Sequence, residues 1–274
     1  MLKIGSCTVL YNPDSSVISN IETYSSLCDV CVVVDNSDSI NEFSKYFEDN
    51  PSFVYISMHG NQGIATAINA GVEYLHLKGM DFVLTMDQDS QFPTKDFEKI
   101  YSLIEKYKDE YSLIGLDVNK VSDDQEIKDV PYWITSGNFV NIQDFYKVGR
   151  MNESLFIDYV DFDLGYKFRQ ANLKIGYLPG YCISHTIGNP IEIHFFGKTF
   201  YALNHSPIRY YYRYRNSYYL YHYVDKGFFK KEYHREIFGS LIKMFLFEKN
   251  RKEKVKMIKK GIQDAKLNRL GKFV

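Results

Sequence analysis

The sequence predicts an α/β protein whose central sheet is mostly parallel and flanked by helices, followed by a helical C-terminal region. In the first half of the 274-residue chain, short apolar runs alternate with segments that carry an apolar stripe at helical spacing. The connections are short, which is typical of parallel strands covered by helices on both faces. From about His205 onward the pattern is helical to the end.

Four strands and three helices account for the first half. The strands are expected at residues 3–11, 30–37, 52–57 and 81–86, and the helices at 16–27, 61–79 and about 94–107. The second strand begins with a continuous β-branched run, which is typical of a strand buried on both faces. The helix at 61–79 places four apolar side chains on one stripe and ends at Gly79.

The middle of the chain is less regular. Strands are expected at 111–118 and 132–142, a helix at 158–172, and a hairpin or strand pair at 174–190. In sheets of this kind, ligands bind beyond the carboxyl ends of the parallel strands. Asp35 and Asp87 both lie at such ends, on different strands.

Charge is distributed unevenly along the chain. Residues 226–274 hold 15 Lys and Arg against 5 Asp and Glu, while the remaining residues hold 18 against 29. This asymmetry indicates either that the tail alone meets an anionic partner or that it forms a solvated helix face. We expect no nucleic acid among the partners.

The four cysteines do not suggest a metal or redox centre. Cys28 and Cys31 form a C-x-x-C without a second pair, so we expect neither zinc binding nor redox chemistry. The N-terminal apolar stretch is too short for a signal peptide, and no run reaches the roughly 20 apolar residues of a spanning helix. We therefore expect a cytoplasmic protein, or one attached to the cytoplasmic face of a membrane.

The segment TMDQDS follows the fourth strand and carries two acids. Asp87 and Asp89 lie two residues apart, so on an extended segment both carboxylates point to the same side and can face one cation. Such oxygen ligands suit Mg²⁺ or Mn²⁺, which complete their coordination with water and phosphate oxygens. The alternative is a pair of exposed turn acids, because D-x-D alone is a weak motif.

Two further segments predict nucleotide contacts. Asp35 ends the second strand, where its carboxylate could accept the imide N–H of uracil or thymine, or simply form a turn. The loop HGNQG at 59–63 opens a helix and could bring its backbone close to a ribose or phosphate. The alternative is that its glycines only turn the chain.

Three acids and a histidine complete the candidate residues. Asp158, Asp161 and Asp163 lie within six residues, where a carboxylate could take a proton from an attacking hydroxyl. Alternatively, they are first-turn acids favoured by the helix dipole, which would also weaken a base. His185 could bind a metal or a phosphate as a neutral imidazole, or could be a turn histidine.

In their order and spacing, these segments resemble the family 2 glycosyltransferases of the GT-A fold. The matching segments are TVLYNP, VVVDNS, NQGIATAINAG, TMDQDS, TSGN, DYVDFDLGYKFR and ISHTIG. SPIRYYYRYRNSYYL is similar to the Arg- and Tyr-rich segment that follows the catalytic domain in rhamnosyltransferase-like members. The resemblance covers roughly residues 4 to 220 and implies a Rossmann-like, mostly parallel sheet.

The resemblance also implies roles for individual residues. Asp35 would contact the base, Asp87 would approach the ribose or donor sugar, and Asp89 would hold the Mg²⁺ or Mn²⁺ that bridges the diphosphate. Asp87 is a second potential ligand, and His185 would be a further metal or diphosphate contact. The remaining donor contacts would be Tyr11, Asn12, Asn61, Gly63 and Arg215 with Asn216, and the acceptor contacts Ser136, Gly137 and Asn138.

The resemblance identifies the catalytic base less firmly. The Glu-Asp base motif of the family aligns with Val160-Asp161, so Asp161 is the candidate base. Valine replaces the usual glutamate, a departure also seen in rhamnosyltransferase-like sequences. Asp158 and Asp163 therefore stay as alternatives.

Together these roles predict a metal-dependent, inverting glycosyltransferase of cell-surface polysaccharide biosynthesis. It would move a sugar, foremost rhamnose from dTDP-rhamnose, onto a hydroxyl of a glycan or lipid-linked acceptor. A UDP-hexose donor is the alternative. Other classes are a haloacid dehalogenase-type phosphatase with Asp87 as nucleophile, a nucleotidyltransferase, and a sugar-nucleotide binding module without catalysis.

The domain boundary is expected near residue 205. Residues 1–205 would form the catalytic domain, with a nucleotide-sugar half at about 1–90 and an acceptor half at about 91–205. Residues 206–274 would form a helical region that is Tyr-rich and basic, and a homo-oligomer is one option for the assembly.

The C-terminal region also predicts a membrane contact. The apolar segment 237–247 is too short to span a bilayer, and the basic segment 249–260 follows it. This pattern favours an interfacial anchor on anionic lipid at the inner face of the cell membrane. The eight tyrosines between residues 210 and 223 would form an acceptor platform, lie at the membrane interface, or pack against the catalytic domain.

Overall fold

The computed structural model describes residues 2–119, 122–124, 126–185, 191–195, 198–202 and 204–273, with the backbone alone for 191–195 and 198–202. The chain divides into two compact units. The first comprises residues 1–153 and 160–186, and the second comprises residues 154–159 and 187–274. This division assigns a short insertion from the middle of the chain to the C-terminal unit, whereas the sequence placed one boundary near residue 205.

Within its described residues, the first unit contains one mixed sheet and six α-helices. Its strands are β1 (Ile4–Leu10), β2 (Val30–Asp35), β3 (Val54–Ser57), β4 (Phe82–Asp87), β5 (Ser90–Gln91), β6 (Tyr111–Val118), β7 (Lys128–Asp129), β8 (Asn138–Asn141) and β9 (Lys174–His185). Its helices are α1 (Ser16–Ser25), α2 (Glu42–Asp49), α3 (Ile64–Leu77), α4 (Phe97–Tyr107), α5 (Ile142–Lys147) and α6 (Val160–Gln170).

The strand order explains where a ligand can bind. The strands follow one another as β3-β2-β1-β4-β8-β6-β9-β5, and β7 pairs with β9. β3, β2, β1 and β4 are parallel, while β8 runs antiparallel to both β4 and β6. The predicted α/β fold is confirmed, with a parallel half and a mixed half. The carboxyl ends of the parallel strands lie side by side, since Leu10 pairs with Asp35 and Val9 with Asp87.

Gly71 allows α3 to pack closely on the parallel strands β1 and β2. A Cβ added at Gly71 would lie 2.4 Å from the Cys7 Sγ and 3.1 Å from a Val34 methyl group. Any larger residue would push the helix away from β1 and β2. Gly71 therefore helps to hold the start of α3 over the carboxyl ends of these strands.

Residues 174–185 form one long strand, so the predicted hairpin or strand pair is wrong over this range. Pro179 and Gly180 lie in a bulge of this strand, where the register with β6 jumps from Leu178 to Cys182. Beyond the bulge the strand continues to His185, which pairs with Ser90. The rest of that prediction, residues 186–190, lies outside the described residues.

Two other elements differ from the expectation. α2 was not predicted, although Asn41 marks its start by accepting hydrogen bonds from the backbone N–H groups of Phe43 and Ser44. The strand expected at 132–142 shortens to β8, because the chain turns at Gly137, which has a φ of 75°.

The cysteine pair lies in the packed region beside β2. Cys28, Cys31 and Cys7 are free thiols. Burial raises the pKa of Cys31 to about 11 and that of Cys7 to about 12. These two thiols are therefore protonated at neutral pH and are poor nucleophiles.

The second unit is mainly helical. It contains the hairpin β10 (Ile191–Phe195) and β11 (Lys198–Ala202), the helices α7 (Pro207–Tyr219), α8 (Lys226–His234), α9 (Leu241–Phe247) and α10 (Arg251–Lys266), and π-helical turns at Leu220–Val224 and Arg235–Ser240. Four of the eight tyrosines between 210 and 223 are buried, namely Tyr210, Tyr211, Tyr212 and Tyr214. Among the described helices of the chain, none has the length and apolar character needed to cross a membrane.

Candidate functional site

The turn between β4 and β5 carries the two acids of the D-x-D segment. Ligand atoms of Asp87, Asp89 and His185 all lie within 4.8 Å of one another. The Asp89 Oδ1 is 3.4 Å from the His185 Nδ1, and the two side chains are 46% and 24% exposed. The cluster is therefore compact and open to solvent on one side.

Strand pairing brings the histidine to the acids. β4 ends at Asp87, and after a two-residue turn β5 runs antiparallel to the end of β9, with Ser90 opposite His185. His185 is 96 positions from Asp89 in the sequence, but the long strand β9 carries it across the sheet to this turn. We call Asp87, Asp89 and His185 the triad. Its assembly depends on β9 continuing past the bulge at Pro179.

A chain of buried hydroxyls supports the triad. The backbone N–H of Asp87 donates to the Ser136 Oγ at 3.0 Å, and the Ser136 hydroxyl donates to the Ser90 Oγ at 3.0 Å. A third hydrogen bond joins the Ser90 Oγ and the His185 Nδ1 at 2.8 Å. Ser90 is fully buried and Ser136 nearly so. This chain fixes the backbone of one acid and the ring of the histidine together.

The residue between the two acids ties the turn to the neighbouring strand. The Gln88 Oε1 accepts a hydrogen bond from the Tyr11 N–H at 2.8 Å, and the Gln88 Nε2 donates to the Tyr11 carbonyl oxygen at 3.2 Å. Tyr11 follows β1 and is 45% exposed. The pair of hydrogen bonds fixes the Tyr11 backbone to the D-x-D turn.

Asp35 lies at the carboxyl end of β2, where it pairs with Leu10 of β1. Its Oδ1 accepts from the Ser37 N–H at 2.9 Å, and its Oδ2 accepts from the Tyr55 hydroxyl at 2.7 Å. The carboxylate is nearly buried, and burial together with this carboxylate raises the pKa of Tyr55. The Ser37 Oγ in turn accepts from the Asn12 N–H at 2.8 Å.

The loop that opens α3 joins this network. The Asn61 Oδ1 accepts from the Gly63 N–H at 3.0 Å and from the Asn36 Nδ2 at 3.2 Å. Gly63 has a φ of 91°, a conformation that favours glycine, and it precedes the first residue of α3. The predicted residues thus fall into three hydrogen-bonded groups: Tyr11 with Gln88, Asn12 with Asp35 through Ser37, and Asn61 with Gly63.

The triad has the chemistry of a site for a hard divalent cation. Two carboxylates and one imidazole offer oxygen ligands and a single nitrogen, a set that suits Mn²⁺ or Mg²⁺ and leaves coordination positions open. A bound cation would offset the repulsion between Asp87 and Asp89.

Comparison with known proteins identifies the family. The sequence model of the family described as Glycosyl transferase family 2 matches residues 15–161, which is more than half of the chain. The chain belongs to glycosyltransferase family 2. The protein is accordingly a glycosyltransferase, and this assignment favours sugar transfer over the phosphatase and nucleotidyltransferase alternatives.

One curated relative covers nearly all of this glycosyltransferase. The dTDP-rhamnosyl transferase RfbF of Shigella flexneri is 28% identical over 276 residues, which span 93% of this chain and 91% of the relative. The similarity therefore extends beyond the family match into the C-terminal helices.

Solved structures share the fold at low sequence identity. S. aureus TarS 1–349 in complex with UDP-GlcNAc has a TM-score of 0.61 at 13% identity and covers 96% of this chain and 82% of that one. GalNAc-T7 with UDP, GalNAc and Mn²⁺ has a TM-score of 0.56 at 12% identity and covers 88% and 57%. Both support the GT-A fold of this glycosyltransferase.

The three candidate bases have different surroundings. Asp158 pairs with Arg209 through two hydrogen bonds of 2.6 and 2.9 Å. Asp163 is nearly buried and lies 3.1 Å from the Lys167 ammonium, and its burial raises its pKa. Asp161 lies in the first turn of α6, is only partly buried, and accepts a hydrogen bond from the Phe162 N–H.

Arg215 and Asn216, which the resemblance implied as donor contacts, are both buried. The Arg215 guanidinium donates to the carbonyl oxygens of Leu155, at 2.9 Å, and Gly271, at 2.5 Å. Asn216 donates to the carbonyl oxygens of Leu155, Ile157 and Asp158. A contact of either side chain with a diphosphate stays a prediction.

The segment 156–159, which follows the Leu155 carbonyl bound by Arg215 and Asn216, has an unusual backbone conformation. Phe156, Asp158 and Tyr159 have φ values of 65°, 63° and 68°, a region that residues other than glycine rarely adopt. Such conformations persist only where the surroundings fix them, and they cluster at functional sites. In the sequence, Val160 and Asp161 follow this segment directly.

The predicted acceptor residues also have supporting contacts. Ser136 and Asn138 are nearly buried, and Asn138 donates to the carbonyl oxygen of Ile134. Gly137 hydrogen-bonds through its N–H to the Thr85 carbonyl oxygen at 2.8 Å. These contacts hold the segment behind Asp87, and a contact with an acceptor stays a prediction.

Sequence reasoning missed Gln88, Ser90, Tyr55 and Arg209. Gln88 and Ser90 lie inside or directly after the D-x-D segment, and alternation along an extended chain would have turned them away from the acids and toward the protein. Tyr55 and Arg209 gave no such signal, because each meets its carboxylate only through tertiary structure.

Replacement of Ser90, whose hydroxyl lies between Ser136 and His185, tests whether this chain of hydrogen bonds supports the triad. We expect Ser90→Ala to weaken Mn²⁺ affinity about tenfold, because groups that orient metal ligands typically contribute at that level. The measurement is a Mn²⁺ titration followed by electron paramagnetic resonance. Ser112→Ala is the control, since Ser112 is equally enclosed but donates to Asp144 elsewhere in the unit. Equal affinities in the two variants would contradict a role for Ser90 at the triad.

Proposed function

We propose that this glycosyltransferase moves a sugar from a nucleotide donor to an acceptor hydroxyl, with inversion at the anomeric carbon and with a divalent cation at Asp87, Asp89 and His185. The observation that carries the proposal is the convergence of these three groups at the carboxyl ends of the parallel strands. The hydrogen bonds from Gln88 to Tyr11 join that cluster to the predicted nucleotide pocket.

The cation would be Mg²⁺ or Mn²⁺. When bound, it supplies positive charge that stabilises the negative charge developing on the departing nucleoside diphosphate. Asp89 and His185 would hold it, with Asp87 as a further ligand or a contact to the ribose or donor sugar. The presence of Mn²⁺ in the GalNAc-T7 structure supports this choice of ions.

The donor would be dTDP-rhamnose. The name of the S. flexneri relative supports this choice, and its similarity extends over nearly the whole chain. The exposed Tyr11 ring would stack on the base, and Asp35 would recognise the imide edge that thymine and uracil share. A UDP-hexose is the second candidate, which the UDP-GlcNAc complex of TarS supports.

Asp161 would act as the base. The acceptor oxygen bonds to the anomeric carbon as the bond from that carbon to the diphosphate oxygen breaks, and Asp161 takes the hydroxyl proton. The partial exposure of Asp161 supports this role, whereas Asp158 is engaged by Arg209 and Asp163 is enclosed beside Lys167.

The acceptor would be a glycan or a lipid-linked oligosaccharide, contacted by the segment Ser136 to Asn138. Residues 1–205 would form the catalytic domain, with donor and acceptor halves, and residues 206–274 a C-terminal extension. A lipid-linked acceptor implies that the enzyme works in the cytoplasm at the inner face of the cell membrane. The product would serve cell-surface polysaccharide biosynthesis.

Donor recognition can be tested at Asp35. Calorimetry in the presence of Mn²⁺ should show tighter binding of dTDP-rhamnose than of UDP-glucose or GDP-mannose. Asp35→Asn should weaken dTDP-rhamnose binding about tenfold or more, because an asparagine loses a charged acceptor for the imide N–H.

The control for this measurement is Asp129→Asn. Asp129 accepts a hydrogen bond from the Tyr111 hydroxyl at 2.6 Å, just as Asp35 does from Tyr55, but at another part of the unit. If Asp35→Asn and Asp129→Asn bind the donor equally well, the nucleobase of the donor does not contact Asp35.

The role of Asp161 as the catalytic base can be tested by isosteric substitution. Asp161→Asn should lower turnover by about 100-fold or more while donor affinity is unchanged, since a general base typically contributes at least that factor. Asp163→Asn, verified as folded by circular dichroism, should keep most of its turnover. A larger loss in Asp163→Asn than in Asp161→Asn would transfer the role to Asp163.

A further inference from the structure

An exposed apolar surface lies in the C-terminal unit around α9. Phe238, Ile242, Phe245 and Leu246 are 61%, 57%, 49% and 60% exposed, and we call these four residues the α9 apolar face. Single exposed apolar residues are common, but four large ones within nine positions form a patch of the kind that marks an interaction surface.

The opposite side of this helix is also apolar. Met244 is fully buried in a cluster with Tyr210, Tyr214 and Ile258, and Leu241 packs against the same cluster. A short helix that is apolar on both sides does not match a surface helix facing water, which carries polar residues outward. The α9 apolar face therefore requires an apolar partner.

The exposed charges of the stretch that contains this face are predominantly cationic, and Glu253, which directly follows the stretch, is an exposed acid. In the fully described stretch 226–252, every Asp and Glu is buried, namely Glu232, Glu236 and Glu248. Glu236 pairs with Arg213 at 2.7 Å, and Glu248 pairs with Lys254 at 2.7 Å. The exposed charged side chains of the stretch are all cationic: Lys226, Lys230, Lys231, Arg235, Lys243, Lys249, Arg251 and Lys252.

We propose that the α9 apolar face and these eight cations, which we call the basic rim, dock on an anionic lipid surface. The apolar side chains would enter the headgroup region, and the rim would bind lipid phosphates. α9 has seven residues, so it would lie in the interface and not cross it. The inference deepens the proposed membrane attachment by naming its surface, and its test does not require sugar transfer.

The charge pattern favours lipid over a second copy of the chain. A two-fold interface places the same patch of both copies against each other. Two basic rims would then face one another, and like charges across an interface oppose association. An anionic bilayer instead complements the rim and accepts the apolar face.

Vesicle co-sedimentation of the full chain tests the proposal. The protein should bind phosphatidylcholine vesicles that contain phosphatidylglycerol, should not bind phosphatidylcholine alone, and should dissociate at high salt because the attraction is screened. Phe245→Ser with Leu246→Ser should abolish measurable binding. Lys249→Gln with Arg251→Gln and Lys252→Gln should weaken binding by about fivefold per cation removed.

Matched controls come from exposed positions in the first unit. Leu77→Ser removes an apolar side chain that is 78% exposed, and Lys99→Gln removes a cation that is 71% exposed. Both should bind vesicles like the unaltered protein. Circular dichroism and donor calorimetry on every variant separate loss of docking from misfolding and from failure of the proposed transfer function.

Three results would overturn the proposal. These are no binding to anionic vesicles at low salt, equal binding to uncharged vesicles, and unchanged binding of the α9 variants. If light scattering showed a dimer that the Phe245 and Leu246 substitutions dissociate, while vesicles are not bound, the face would be an interface between copies.

Discussion

Two carboxylates two residues apart repel each other, and a cation held between them would offset that repulsion. In this glycosyltransferase the pairing of Ser90 with His185 brings an imidazole to the Asp87-Asp89 turn, where the three side chains form a candidate cation site. The pairing depends on β9 continuing through its bulge at Pro179. A local irregularity in one strand thus determines the composition of the candidate metal site.

Polar side chains link the neighbouring pieces of the candidate site. Ser136 and Ser90 join the Asp87 backbone to the His185 ring, while Gln88 joins the same turn to Tyr11. Within the C-terminal unit, Arg215 and Asn216 hold the left-handed segment 156–159 through the carbonyl oxygens of Leu155, Ile157 and Asp158. Rigid support of this kind would keep reacting groups in place without rearrangement during a reaction.

Much of this arrangement follows from local sequence. The β-branched run before Asp35 and the apolar run before Asp87 predict parallel strands, and their carboxyl ends must share an edge of the sheet. The residues alone offered His185 and three candidate acids, and the resemblance to family 2 glycosyltransferases singled out Asp161 among the acids. The hairpin predicted at 174–190 is wrong over residues 174–185, because proline usually ends strand pairing whereas Pro179 lies in a bulge of a continuing strand. The burial of Arg215 could not be predicted either, since an arginine in a matching motif gives no sign of whether carbonyl oxygens elsewhere will enclose it. Likewise, the three acids of the stretch 226–252 are counted in the sequence, but only their burial shows that the exposed charges of this stretch are cationic.

The central claim is that Asp87, Asp89 and His185 form one cation site, and a Mn²⁺ titration by electron paramagnetic resonance with nucleoside diphosphate present tests it most directly. Asp89→Ala and His185→Ala should each weaken Mn²⁺ binding by about tenfold or more. Asp96→Ala, which removes an acid of similar exposure at 41%, should leave it unchanged. If all three variants bind Mn²⁺ like the unaltered protein, the triad is not the cation site and the proposed metal-assisted transfer is contradicted.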